Sequence, residues 1–298
     1  MNRKGWVWLG QAILVLVLVY FIWRRVSADW REFSSLDFAV QARPTWIVAS
    51  GLLVWASYAL LIEAWRGVLR GWQAQISYAS ASAVWCVSNL GRYLPGKIWS
   101  IAGLAVLAQR AGVNPMTATA SAIVMQALAI GTGTIIVVLA APASVTSLGL
   151  IAALTVAAGT VALLTVPAAS KQISRLLGRN FESLPPGAVL IGVAATSLSW
   201  LIYGTSFWLL GKGLIPDAEL SIQRAVGVFA SGYILGLIAL FAPGGIGVRE
   251  GVFIALLSSS LGLAGAITLS VASRILMTLT ELGAVLVVLP LKSRLGDP

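Results

Sequence analysis

Apolar runs of about 20 residues recur along this chain, and two of its oily regions are broken by Pro-Gly turns that carry charge. The first is Asn89-Leu-Gly-Arg-Tyr-Leu-Pro-Gly-Lys-Ile-Trp99 and the second is Ala242-Pro-Gly-Gly-Ile-Gly-Val-Arg-Glu-Gly251. As a helix, such a run crosses the roughly 30 Å of hydrocarbon in a bilayer. Backbone exposed to lipid there must satisfy its own N–H and C=O groups. The chain is thereby held to membrane-spanning helices, with irregular backbone only where protein or a cavity surrounds it. Pro95-Gly96-Lys97-Ile98 aligns with Pro243-Gly244-Gly245-Ile246, 148 residues further along a chain of 298. Interruptions at matching places in two halves are the mark of an inverted repeat with a site near the membrane midplane.

Composition narrows the chemistry. Hydrophobic residues make up 58% of the chain and charged residues 10%, against about 25% charged in ordinary soluble domains. Mean hydropathy is +0.91. His is absent and Cys86 is the single cysteine, so zinc sites, Ser-His-Asp triads and Cys-His dyads lack their parts. No metal, cofactor or intrachain disulfide is expected. The net charge of +10 sits in short loops beside apolar runs, a pattern of membrane topology and anionic headgroups rather than nucleic acid. The run Trp6–Trp23 exceeds a signal-peptide core of about 7–15 residues and reads as a retained first helix.

Apolar length predicts six full crossings, roughly Trp6–Trp23, Trp46–Ile62, Thr117–Ala141, Val145–Val166, Ala188–Leu210 and Leu263–Leu289. Two further regions, Ala79–Gln109 and Ala225–Leu261, hold the interruptions; their arms of about 10–17 residues span some 15–26 Å. The expected fold is an all-α polytopic membrane protein, one integral membrane domain over residues 1–298 with pseudo-halves of about 1–141 and 142–298. The interrupted regions are read as re-entrant hairpins entering from opposite sides and meeting tip to tip, with Pro-kinked crossings as the alternative. Placing both termini inside puts Arg3, Lys4, Arg66, Arg70, Arg110, Lys171, Arg175, Arg179, Lys292 and Arg294 on the inner side. Arg24, Arg25, Arg31, Arg43, Lys212 and Arg224 then lie outside. That bias favours cytoplasmic termini in a cell (inner or plasma) membrane. Trp6, Trp8, Trp23, Trp46, Trp65 and Trp72 fall near span ends, as an interfacial belt would.

Six ionisable residues lie at membrane depth: Arg92, Lys97, Arg249, Glu250, Arg274 and Glu281. Each costs about 2.5–3.5 kcal/mol there unless water, a partner charge or a ligand compensates. Four cations against two carboxylates call for an anion, and lipid phosphate is always at hand in a bilayer. Gly91, Gly96, Gly244, Gly245 and Gly247, with Pro95 and Pro243, let the backbone turn sharply and approach a ligand. Helices restarting after each turn would aim unpaired N–H groups at it. Arg92 and Arg249 suit bidentate contact with phosphate and Lys97 acts as a point charge, with Glu250 in the same site. The plainer reading of Arg249 and Glu250 is mutual neutralisation across the cavity. Arg274 and Glu281, seven apart on one helix face, read as supporting charges paired with the hairpins. Glu63, Arg66 and Arg70 read as an interfacial ion cluster.

At these two motifs the chain resembles the lysylphosphatidylglycerol synthase transmembrane-region family, also called flippase-like or UPF0104 integral membrane proteins. Gly91-Arg92-Tyr93-Leu94-Pro95-Gly96-Lys97 and Pro243-Gly244-Gly245-Ile246-Gly247-Val248-Arg249-Glu250-Gly251 carry the likeness, which covers about residues 6–290. The resemblance implies a polytopic fold with re-entrant helices and translocation of lipid between leaflets. The chain stops at Pro298, so lysyl transfer by a fused synthase domain is not expected. The expected function is flipping of an anionic phospholipid or polyprenyl-linked lipid through a central basic cavity, without enzymatic chemistry. No G-x-x-x-x-G-K-[ST] occurs, so movement is passive or ion-driven, with Glu250 or Glu281 as proton carriers. The competing readings are an intramembrane lipid-modifying transferase with Glu250 as base, and a noncatalytic partner of a lipid-synthesis complex. A lipid-synthesis enzyme and a second copy of the chain are the protein partners considered.

Overall fold

The computed structural model describes residues 20, 24, 42–94, 98–140, 154–155, 158–162, 183–239 and 242–295, and all regular elements among them are helical. Helix α1, Pro44–Gly71, opens on a proline, whose missing N–H is no loss in a first turn. It ends in a Schellman turn: Gln73, at φ 58, donates to the Arg70 carbonyl, and Ala74 donates to Leu69. Helix α2, Tyr78–Asn89, is capped by Ser77 Oγ, which accepts from Ser80 N–H at 3.1 Å, and it tightens into a 3-10 turn, Leu90–Tyr93. Helix α3, Ile98–Arg110, closes the same way as α1, with Gly112 at φ 82 and Val113 donating to Ala108. Helix α4 is Pro115–Ala140, its first turn capped by Asn114, and α5 is Pro186–Leu214. Helix α6, Ile222–Ile238, is capped by Ser221 as α2 is by Ser77. A 3-10 turn at Pro243–Gly245 leads to α7, Val248–Leu295, which breaks at Gly262, φ 69 and ψ 168.

Helices α1, α4, α5 and α7 as far as Pro290 are long and apolar enough to cross a membrane. They contain the expected crossings Trp46–Ile62, Ala188–Leu210 and, beyond the Gly262 break, Leu263–Leu289, and all of Thr117–Ala141 except Ala141, which lies outside the described residues. Of the crossings expected at Trp6–Trp23 and Val145–Val166, only residues 20, 154–155 and 158–162 are described, and the rest lie outside the described residues. Trp65 departs from the belt reading. It is fully buried and donates to Ser121 Oγ at 2.8 Å. Helix α1 runs on past it because Glu63 pairs with Arg66 and Arg70, so the charges that end the apolar run do not end the helix.

The two interrupted regions are hairpins. A Cβ on Gly103 would lie 3.7 Å from Ser88, and one on Gly91 would lie 2.7 Å from Ser100 N, so α2 and α3 run antiparallel back from their turn. The same holds for α6 and the first part of α7. Gly236 lies beside Gly245, Gly232 beside Phe253, and Arg224 Nη2 donates to the Leu256 carbonyl at 2.8 Å. Arms of 12 and 13 residues extend about 18–20 Å, too little to cross alone.

Helices α1 and α5 form the centre and also run antiparallel. Arg43 N–H donates to Gly213 O at 2.7 Å at one end, and Gly71 packs beside Leu184 and Ala188 at the other. Between them Ser50 Oγ donates to Ser206 O at 2.7 Å and Ser206 Oγ to Ser50 O at 2.9 Å. Corresponding helices of the two halves thus point in opposite directions, as an inverted repeat requires. One hydrophobic cluster gathers around Trp65, Leu69 and Leu128, the other around Phe207, Phe253 and Leu269. Small residues set the spacing, as in membrane bundles generally: a Cβ on Gly204 would fall 2.4 Å from Val226 Cα.

Candidate functional site

The hairpin tips meet. A Cβ on Gly244 would lie 3.5 Å from the Arg92 carbonyl oxygen. Gly244, Gly245 and Gly247 take φ values of 58, 73 and 81, a left-handed run that residues with a Cβ avoid. Gly91 serves differently: it admits the Trp99–Ser100 backbone, which a methyl would strike.

Beyond Gly262, α7 grips both tips from one face. Glu281 Oε1 lies 2.7 Å from Arg92 Nη1, and Tyr93 OH donates to Glu281 Oε2 at 2.8 Å with Thr278 Oγ1 at 3.0 Å. Two turns earlier, Arg274 Nη1 donates to the Gly244 carbonyl at 3.1 Å, and its Nε lies 3.3 Å from Glu250 Oε1. Glu250 Oε2 also accepts from Gly247 N–H at 2.8 Å, the reach-back half of a capping box that closes the first turn of α7. Glu281 thus holds the first hairpin, and Arg274 holds the second.

Arg249 is 6% exposed. Its guanidinium carbon lies 5.0 Å from the Phe229 ring centre, 5.1 Å from Phe253 and 6.0 Å from Tyr233, and Nη2 donates to Ser273 Oγ at 3.0 Å. Among the described residues no carboxylate stands within ion-pair distance of it. Cation–π contacts of about 2 kcal/mol when desolvated offset part of the burial. Phe253 is on the same face one turn after Arg249, and Phe229 and Tyr233 come from α6, so the hairpin itself builds the aromatic enclosure.

A cavity of about 160 Å³ opens beside the first tip, between α1 to α5, with Tyr233 of α6 and Met277 of α7 completing its wall. That is room for a cluster of waters or one polar headgroup. Arg92 and Asn89 line it, with Gln126, Ser88 and Ser100 as further polar groups and Tyr58, Tyr203, Trp85 and Trp200 as aromatic walls. Arg92 keeps 30% of its side chain exposed while Glu281 keeps 6%, so the cation faces the cavity and its carboxylate partner stands behind. Asn89 Oδ1 accepts from Arg92 Nη2 at 3.0 Å and orients it. The Tyr58 hydroxyl is buried without a hydrogen-bond partner.

Of the residues singled out from sequence, Arg92 lines the cavity. Arg249, Glu250, Arg274 and Glu281 pack behind it around the two tips, and Tyr233 stands between Arg249 and the cavity. Lys97, Pro95 and Gly96 lie outside the described residues. The cavity tyrosines and Gln126 were missed, although a glutamine midway along an apolar span and hydroxyls at that depth are readable signals. Cys86 is buried and free, and Glu63 pairs with Arg66 and Arg70 as the sequence suggests.

No curated protein matches the chain. A family model described as the lysylphosphatidylglycerol synthase TM region matches residues 7–283, which takes in both hairpins, the central helix pair and the cavity wall. The chain is a multi-pass membrane protein that belongs to the lysylphosphatidylglycerol synthase TM-region family, and its function is tied to membrane lipid.

Proposed function

We propose that the protein moves an anionic lipid headgroup between leaflets through the cavity beside the hairpin tips. The observation that carries this reading is the position of Arg92: a guanidinium partly open to a cavity of aromatic walls and a few polar groups, at the junction of the two hairpins. Two of its N–H donors go to Glu281 and Asn89, and none of the others is bonded among the described residues, which leaves them for phosphate oxygens in this reading. Arg249, with no carboxylate at ion-pair distance among the described residues, adds positive field behind the wall. Lys97, next to Pro95-Gly96 in the sequence, is the further phosphate contact that the sequence suggests. Phosphate drawn into the cavity would meet aromatic walls and amides instead of hydrocarbon, which lowers the barrier that keeps headgroups in one leaflet.

The test uses purified full-length protein in liposomes containing a short-chain fluorescent phosphatidylglycerol, with a membrane-impermeant quencher reporting the outer leaflet. Faster exchange with protein than without, largely lost in Arg92→Gln, is expected. Native protein that folds yet leaves exchange at the protein-free rate would refute flipping. A new lipid product formed in detergent would instead favour a transferase.

A further inference from the structure

Arg92 serves two neighbours at once. It holds Glu281 at 2.7 Å on one side and faces the cavity on the other. An anion entering the cavity therefore competes with Glu281 for a single cation. An anion that takes over Arg92 leaves the Glu281 carboxylate desolvated without its ion-pair partner, a cost that binding a proton relieves.

On its Tyr93 side, Glu281 accommodates either state without losing a hydrogen bond. With the carboxylate ionised, Tyr93 OH donates to Oε2 at 2.8 Å. With the carboxyl protonated, the acid donates to the Tyr93 oxygen and Tyr93 turns its hydrogen to Thr278 Oγ1, 3.0 Å away. Thr278 keeps its own hydrogen on the Arg274 carbonyl at 3.0 Å throughout. Among the described residues, the other groups within electrostatic reach of the carboxylate are Tyr58 from α1, Cys86 from α2, Tyr203 from α5 and Arg249 from the second hairpin. Tyr and Cys side chains ordinarily release protons only above about pH 8, and Arg keeps its proton, so of these groups only the carboxylate has a place for an added proton. Glu250, the other carboxylate at this depth, is engaged by Arg274 and by the Gly247 N–H and does not share Arg92.

We propose that Glu281 is a proton-binding site coupled to anion binding at Arg92, so that a lipid headgroup and a proton occupy the site together. The anion brings one negative charge and the proton one positive. Arg92 transfers its ion pair from Glu281 to the phosphate, and the Glu281 carboxylate becomes the acid. Release reverses both steps, and the charge of the site never changes. This inference rests on the anionic-lipid reading above and adds the ion that travels with the lipid.

Calorimetric titration of the full chain in detergent with dioctanoyl phosphatidylglycerol, in two buffers of different ionisation enthalpy, counts the protons taken up on binding. About one proton per lipid is expected, with Kd rising about tenfold per pH unit over the range of uptake. Glu281→Gln should bind with no uptake and a flat pH profile. Tyr93→Phe, which keeps every charge, should retain uptake but move its pH range. Native binding without uptake, or uptake undiminished in Glu281→Gln, overturns the coupling while leaving the lipid reading intact. No binding at all by native protein overturns both.

Discussion

Two glycines in the first hairpin should respond oppositely to the same added methyl. At Gly91 the methyl would meet Ser100 N at 2.7 Å, Trp99 C at 2.8 Å and Trp99 O at 2.9 Å, all backbone atoms. No side chain can swing aside, so α3 must retreat by about 1 Å to reach ordinary contact. Overpacking of this kind costs about 1–3 kcal/mol, and rigid backbone on the far side puts Gly91→Ala near the top of that range. At Gly103 the nearest atoms are Ser88 Cα and Cβ at 3.7 Å, already ordinary contact, and alanine favours a helix over glycine by about 0.5–1 kcal/mol. Gly103→Ala should therefore be neutral or slightly stabilising. On the soluble-protein scale a loss near 3 kcal/mol lowers Tm by about 6–12 °C, readable from tryptophan fluorescence on heating in detergent. Gly91→Ala should also slow lipid exchange, because the retreat displaces Arg92 from its 2.7 Å contact with Glu281. Equal melting of the two variants would refute the close approach on which the hairpin geometry rests.

The arginines of the second hairpin should separate as sharply. Arg249→Met removes a buried cation with no carboxylate at ion-pair distance, so Tm should hold or rise while lipid exchange falls. Arg274→Met strips Glu250 of its partner and should destabilise by about 3–5 kcal/mol. Similar Tm changes in the two variants would contradict the pairing described. Glu250→Ala should lower Tm by losing both the Gly247 cap and the Arg274 contact, and Glu250→Gln should recover part of it, since glutamine still accepts from the Gly247 N–H; failure of that rescue would discount the cap.

Much of the fold is written locally. The Pro-Gly turns, the serines at 77 and 221 and the glycines at 112 and 262 mark where arms begin and end, and each acts through short-range geometry. Whether the chain reverses at a Pro-Gly turn or continues as a kinked crossing is not local. The contacts that decide it, Ser88 with Gly103 and Gly232 with Phe253, join arms more than ten residues apart. The surroundings of the site charges were only half legible. Seven-residue spacing put Arg274 and Glu281 on one face, but which tip each grips depends on how the hairpins dock. The enclosure of Arg249 was open to inspection at Phe253, one turn on, but not at Phe229 or Tyr233, which reach it only after α6 folds back.

The opposed run of α1 and α5 has a consequence for direction. A scaffold made of inverted copies looks alike from either leaflet, so on its own it supplies no arrow, and any path through it must be equally passable both ways. Net movement then comes from unequal concentrations or from a coupled ion gradient; residues that spoil the likeness alter rates and affinities on the two sides but do not drive it. At the 148-residue offset the counterpart of Arg92 is Leu240 and that of Glu281 is Gly133. The ion pair beside the cavity has no image in the other half. The other site charges also face unlike counterparts, Arg249 against Ile101, Glu250 against Ala102 and Arg274 against Gln126, so none of these charges is repeated in the other half.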